Sequence, residues 1–280
     1  MVDVITLLNH GHLSKAWASM RALGAFPAGG HESLIYKLLA GWFSLTPHQQ
    51  ASVPKFKDDL YADFQFVPAA RSDQILLVFC GMAQRFGGCP LPLIHCHLGQ
   101  LGVHLLYLRD QDNLFYLNGQ RRDHYNFAQT LERIQALGEQ HGVKQRLTIG
   151  TSSGGFGALH WGLELSADRI VSLAGPTDLR HLLANLRERQ RALGIPEPYQ
   201  ANTWAAAAAS RLRQPGPKPR FHLIHAAENT NDVRFAQDLG HPLAAHMSVE
   251  TLQGTDAHNV LIPLVEKDRL MPLLIDLVAP

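Results

Sequence analysis

Cysteine is scarce: 280 residues hold three, an odd number. That excludes a complete disulfide framework, and Cys80, set in an apolar run, reads as a small core residue. The start Met1-Val2-Asp3-Val4-Ile5 carries an early acid and no basic n-region, so no secretory signal is expected. Both features point to a reducing, cytoplasmic setting. No apolar run approaches the roughly 20 residues that a membrane helix needs, so no span is expected. Charge of one sign is missing too: 25 Lys and Arg face 24 Asp and Glu, for a net charge of +1. The most basic stretch, Arg211 to Arg220, is broken by Pro215, Pro217 and Pro219 and reads as a solvated loop. No nucleic-acid partner is expected.

Histidine is plentiful, at 16 residues, which raises the question of a metal. His95-Cys96-His97 is the densest cluster; on a strand its two imidazoles would share a face. A site needs three or four ligands. No His-Glu-x-x-His and no paired Cys-x-x-Cys supplies them, so no metal and no other cofactor is expected.

With 46% hydrophobic residues, the chain is long enough for one large core plus a small appendage. Residues 1–62 read as a helical N-terminal segment. Apolar residues recur at three- and four-residue spacing from Ile5 and over Leu13 to Leu23, Gly24 to Gly30 punctuates, and a second helix follows over Ser33 to Leu45. The pair resembles one unit of a tetratricopeptide-like array, but no second copy follows and such arrays need several. A prefix packed on the main domain is therefore expected.

From residue 63 to 280 short apolar runs alternate with helices. Strands are predicted at Phe64 to Val67, Ile75 to Phe79, Val103 to Leu108, Arg146 to Ile149, Ile170 to Ala174, Phe221 to His225 and Met247 to Leu252. Helices are predicted at Phe127 to Gln140, Gly154 to Leu165 and Leu261 to Leu277, the last with a break expected at Pro272. This is an α/β pattern, a mostly parallel sheet with helices on both faces. The long interval 178–219 is either a lid over a substrate site or ordinary surface helices.

Between a predicted strand and a predicted helix stands Gly150-Thr151-Ser152-Ser153-Gly154-Gly155. In that context Gly-x-Ser-x-Gly is a nucleophile elbow, whose tight turn demands small residues two before and two after the serine. Ser152 fits best. Ser153, flanked by Thr151 and Gly155, is the alternative register. A phosphate-cradling loop is the other reading of such a turn, but no P-loop lysine follows and Gly-x-Gly-x-x-Gly is not completed.

With these residues the chain resembles the α/β-hydrolase superfamily over roughly residues 63–280. The resemblance implies a serine hydrolase acting on a small-molecule ester or thioester, with the order nucleophile, acid, histidine. His258, after the last strand, falls where such enzymes place their base. The acid is expected after the preceding strand, where Glu228 and Asp232 both qualify. Oxyanion donors are expected from the N–H of Ser153 and, in the loop Cys80 to Ala83, from Met82, with Ala83 as alternative. Gly81, Arg85 and Arg109 are candidates for touching substrate. Arg85 would meet an anionic group unless it is merely a solvated arginine, and Arg109 would contact substrate unless it pairs with Asp110. Two other functions stay open: acyl transfer to an acceptor such as a sugar hydroxyl, and a non-catalytic binding module whose N-terminal helices engage a protein partner.

Overall fold

Alternation along the strands sets the architecture. In β2 (Gln74–Phe79), Leu76 and Val78 point to one face of the sheet and Ile75, Leu77 and Phe79 to the other, and all five are buried. A strand buried on both faces needs cover on both. The computed structural model, which describes residues 1–24, 29–119, 126–177, 179, 182–194, 210, 212–213, 218–237 and 246–280, shows how that cover is arranged.

Seven strands form one sheet in the order β1-β3-β2-β4-β5-β6-β7. The others are β1 (Phe64–Val67), β3 (His104–Leu108), β4 (Gln145–Thr151), β5 (Arg169–Leu173), β6 (Arg220–Ala226) and β7 (Met247–Leu252). β1 runs antiparallel to β3, and every other pair is parallel.

On one face, Leu76, Val78, Leu105, Ile149 and Leu173 share a cluster with Val4, Leu8, Met20, Leu34 and Leu38. These last belong to α1 (Val2–Asn9), α2 (Leu13–Ala22) and α3 (His31–Ser44). The N-terminal helices therefore lie on the main core, with their apolar faces buried in it. A short α4 (Pro47–Ser52) follows, started by a capping box between Thr46 and Gln49. The same face carries α5 (Leu91–Leu98) and the closing helices α10 (Leu261–Glu266) and α11 (Leu270–Val278). α3 is tied to α10 by Lys37, whose Nζ donates to the Glu266 carbonyl at 3.1 Å. On the opposite face, Ile75, Leu77 and Phe79 pack on Ile134 of α6 (Phe127–Gln140) and on Ala158 and Trp161 of α7 (Ser153–Glu164).

Two sequence expectations are corrected. His95 and His97 lie on helix α5, not on a strand. Each is buried against a different partner: His95 bonds the Tyr107 hydroxyl at 2.8 Å and the Pro54 carbonyl at 2.6 Å, and His97 bonds the Leu38 carbonyl at 3.0 Å. Burial lowers the pKa of both. The closing helix breaks at residues 267–269, where Asp268 takes φ +54°, and not at Pro272. Pro272 sits in the first turn of α11, where a missing N–H leaves no bond unmade.

Of the interval 178–219, the structure describes α8 (Leu183–Ala192) and a few flanking residues; the rest lies outside the described residues. Among the described residues no helix is long and apolar enough to cross a membrane.

Candidate active site

β4 is the middle strand, and its Gly150 pairs with Phe79 of β2 and Ser172 of β5. Ser152 comes just past its carboxyl end, as the cap residue of α7, with φ +55° and ψ −122°. A non-glycine residue held there stores roughly 1–3 kcal/mol of strain. The turn is held closed by the Ser152 N–H donating to the Leu173 carbonyl and the Gly155 N–H donating to the Ser152 carbonyl, each at 2.8 Å. Glycine is required on both sides. A Cβ on Gly150 would strike the Gly154 carbonyl, and a Cβ on Gly154 would strike the carbonyl of Phe79, all of it backbone that cannot give way.

The Ser152 hydroxyl lies 2.8 Å from Nε2 of His258. Nδ1 of His258 in turn lies 2.8 Å from Oδ1 of Asp232. Ser153, the alternative register, is buried at the start of α7. Asp232 stands in the first turn of α9 (Thr230–Gln237), and its N–H donates to the Asn229 side chain at 3.1 Å. Its side chain is 1% exposed while that of His258 is 49% exposed. The hydrogen bond that His258 donates to Asp232 raises the His258 pKa above its ordinary value, against the opposing effect of burial.

Glu228, the other candidate carboxylate, is not at the imidazole. It accepts the backbone N–H groups of Gly254 at 2.9 Å and Thr255 at 2.5 Å, which hold its pKa down. It thus ties the loop after β6 to the loop that carries His258.

Beside Ser152 opens a cleft of about 270 Å³, lined by Gly81, Met82, Arg85, Thr151, His258 and Asn259 among others. Among the described residues, the N–H groups of Met82, Ala83 and Ser153 meet no protein acceptor. A larger cavity, near 460 Å³, lies at the other end of the sheet between Arg169 and Pro280, far from Ser152. There the Arg169 guanidinium is taken up by the carbonyls of Asp276, Leu277 and Pro280.

Gly81 and Arg85 reach the cleft; Arg109 does not. Arg109 is buried and pairs with Asp58 at 2.6 Å, not with Asp110. Its Nε donates to the Gln84 carbonyl at 3.1 Å and its Nη1 to Gln65 at 2.9 Å. It therefore pins the 81–85 loop from behind. Asp110 instead accepts the Tyr116 N–H at 3.0 Å, and burial pushes its pKa up to about 6.

Three further residues, none of them a candidate from the sequence, shape the site. The Thr151 hydroxyl accepts the Gly87 N–H at 3.0 Å, Asn259 donates to the Gly87 carbonyl at 2.7 Å, and Asn229 caps α9. Only the last had a readable signal, a cap-type residue three positions before an acid. Among the described residues no cluster of three or more His, Cys, Asp or Glu could hold a metal.

No protein-family profile and no curated protein matches the sequence. Among solved structures, S-formylglutathione hydrolase (FrmB) from Staphylococcus aureus is similar at 9% identity, covering 76% of this chain and 92% of its own, with a TM-score of 0.52. The capsule O-acetyltransferase of Neisseria meningitidis serogroup A is similar at 11% identity, covering 80% of this chain and 99% of its own, also with a TM-score of 0.52. At these identities the likeness is one of fold, and the chain has the α/β-hydrolase fold.

Proposed function

We propose that this chain is a serine hydrolase that cleaves a carboxylic ester or thioester through an acyl-enzyme on Ser152. The observation that carries the reading is the continuous contact from Ser152 Oγ through His258 to the buried Asp232, 2.8 Å at each step. A serine hydroxyl is a weak nucleophile until a neighbouring base takes its proton. His258 Nε2 takes it as Oγ bonds to the acyl carbon, and Asp232 holds the tautomer and steadies the imidazolium. The carbonyl oxygen gains the negative charge, and the two undischarged donors at Met82 and Ser153 are suited to receive it. His258 then returns the proton to the departing alkoxide or thiolate. Water, deprotonated by His258, attacks the acyl carbon and frees Ser152. Side chains, backbone and water suffice for these steps.

In this reading residues 63–280 are the hydrolase domain and residues 1–62 a helical segment that covers one of its faces. The three cysteines are free and buried, which supports a reducing compartment. Transfer of the acyl group to a sugar hydroxyl would use the same three residues. The half-exposed His258 favours water as acceptor, since transfer requires that water be kept out. A protein partner on the N-terminal helices would have to use their polar faces, their apolar ones being buried in the core.

A fluorophosphonate probe tests the reading. The account expects a covalent adduct on the peptide carrying Ser152, absent from Ser152→Ala. A folded protein that resists labelling would instead favour a binding module.

A further inference from the structure

Among the described residues, Arg85 is the only Lys, Arg, Asp or Glu lining the cleft that holds Ser152 and His258. Its guanidinium makes no hydrogen bond and no ion pair among the described residues. It is partly buried, unlike Arg187 and Arg189 of α8, which stand out in solvent. Its position is fixed, because the Arg85 carbonyl accepts the Gly81 N–H at 2.9 Å and closes the very loop that carries Met82. The side chain thus leaves a rigid backbone within one short loop of an oxyanion donor.

Among the described residues no carboxylate forms an ion pair with Arg85. Asp232, the carboxylate at the imidazole, is engaged by His258. His31 of α3 packs on the cleft wall, so closely that a Cβ on Gly88 would come within 3.0 Å of its ring. Burial lowers the His31 pKa; the charge of Glu32 opposes that shift and the charge of Arg85 adds to it. A partly buried cation with no counter-charge is costly. A planar guanidinium with free donors is matched to a carboxylate or phosphate by charge and by geometry.

We propose that the cleft beside Ser152 contains an anion subsite built on Arg85, and that the natural ester or thioester carries a carboxylate or phosphate within reach of it. The proposal rests on the serine hydrolase reading and narrows its substrate class. It requires no new chemical step, since the anion is held and not transformed.

The test uses matched fluorophosphonates on the full-length protein, so that Ser152 Oγ bonds to phosphorus and fluoride leaves without any need for the natural substrate. One probe has a hexyl tail, and its partner ends the same tail in a carboxylate. A second pair places the carboxylate on the alkoxy group, which separates an anion on the acyl side from one on the leaving-group side. In at least one pair, the ratio of inactivation rates, anionic over neutral, should be about tenfold higher in wild type than in Arg85→Gln. Arg85→Lys should keep most of the preference. Equal ratios in wild type and Arg85→Gln, in both pairs, would overturn the subsite. So would rates that fall together in Arg85→Gln with the ratio unchanged, which would assign Arg85 to the developing oxyanion instead. Failure of every probe to modify Ser152 in wild type would be a different result, removing the hydrolase reading underneath.

Discussion

His258 stands between a hydroxyl and a carboxylate, and its proton affinity links the geometry to a pH profile. The Asp232 hydrogen bond and charge raise its pKa above 6.5, with burial opposing. The base acts only when neutral, so activity is lost as pH falls through that raised value. The acidic limb of kcat/KM should therefore lie above pH 6.5. Asp232→Asn removes both raising effects and leaves the burial, so the limb should move to lower pH while kcat falls by about 10³–10⁴-fold. Glu228→Gln should cost about tenfold or less, because Glu228 holds backbone and does not touch the imidazole. Initial rates across pH for the three proteins check this. That Ser152 and His258 meet was legible in the sequence from the elbow and the order of elements. Which carboxylate meets the imidazole was not, since both follow β6. What separates them is that Asn229 starts a helix whose first turn faces Asp232 toward the histidine loop.

At the scale of elements, the elbow depends on close passage of backbone against backbone. Gly154→Ala would drive a Cβ into the carbonyls of Phe79 and Cys80, costing about 3 kcal/mol. Gly142→Ala is the control: its φ of +65° is also left-handed, but nothing lies within 4 Å. It should cost about 1 kcal/mol, the strain alone. Denaturant unfolding of both variants measures the difference. Most strands and helices were readable because their apolar periods of two and of three to four are distinct. His95-Cys96-His97 misled because a short apolar run bears no period of its own; only Tyr107, Pro54 and Leu38, distant in sequence, explain its histidines. Pro272 misled because a proline in a first turn looks, in sequence, like one inside a helix.

At the scale of the whole molecule, the helical prefix and the sheet share one core. Leu8 of α1 is fully buried in the cluster that contains Leu76 and Ile149. Leu8→Ala should lower stability by about 2–5 kcal/mol, with unfolding still a single cooperative transition, as calorimetry would show. An appendage with its own core would give two transitions and leave the main one unmoved. The long-range ties could not be read from sequence. Arg109 and Asp58 are 51 positions apart, and no spacing rule connects the loop before the first strand to the rear of the 81–85 loop. The cleft itself is likewise a product of assembly, drawing on the ends of β2, β4, β5 and β7 at once.

The central claim is that Ser152 forms an acyl-enzyme with help from His258. Its most direct test is hydrolysis of p-nitrophenyl esters, from acetate to dodecanoate, by wild type and Ser152→Ala. The account predicts turnover by wild type that falls to background in the variant. Turnover that survives in Ser152→Ala would contradict it.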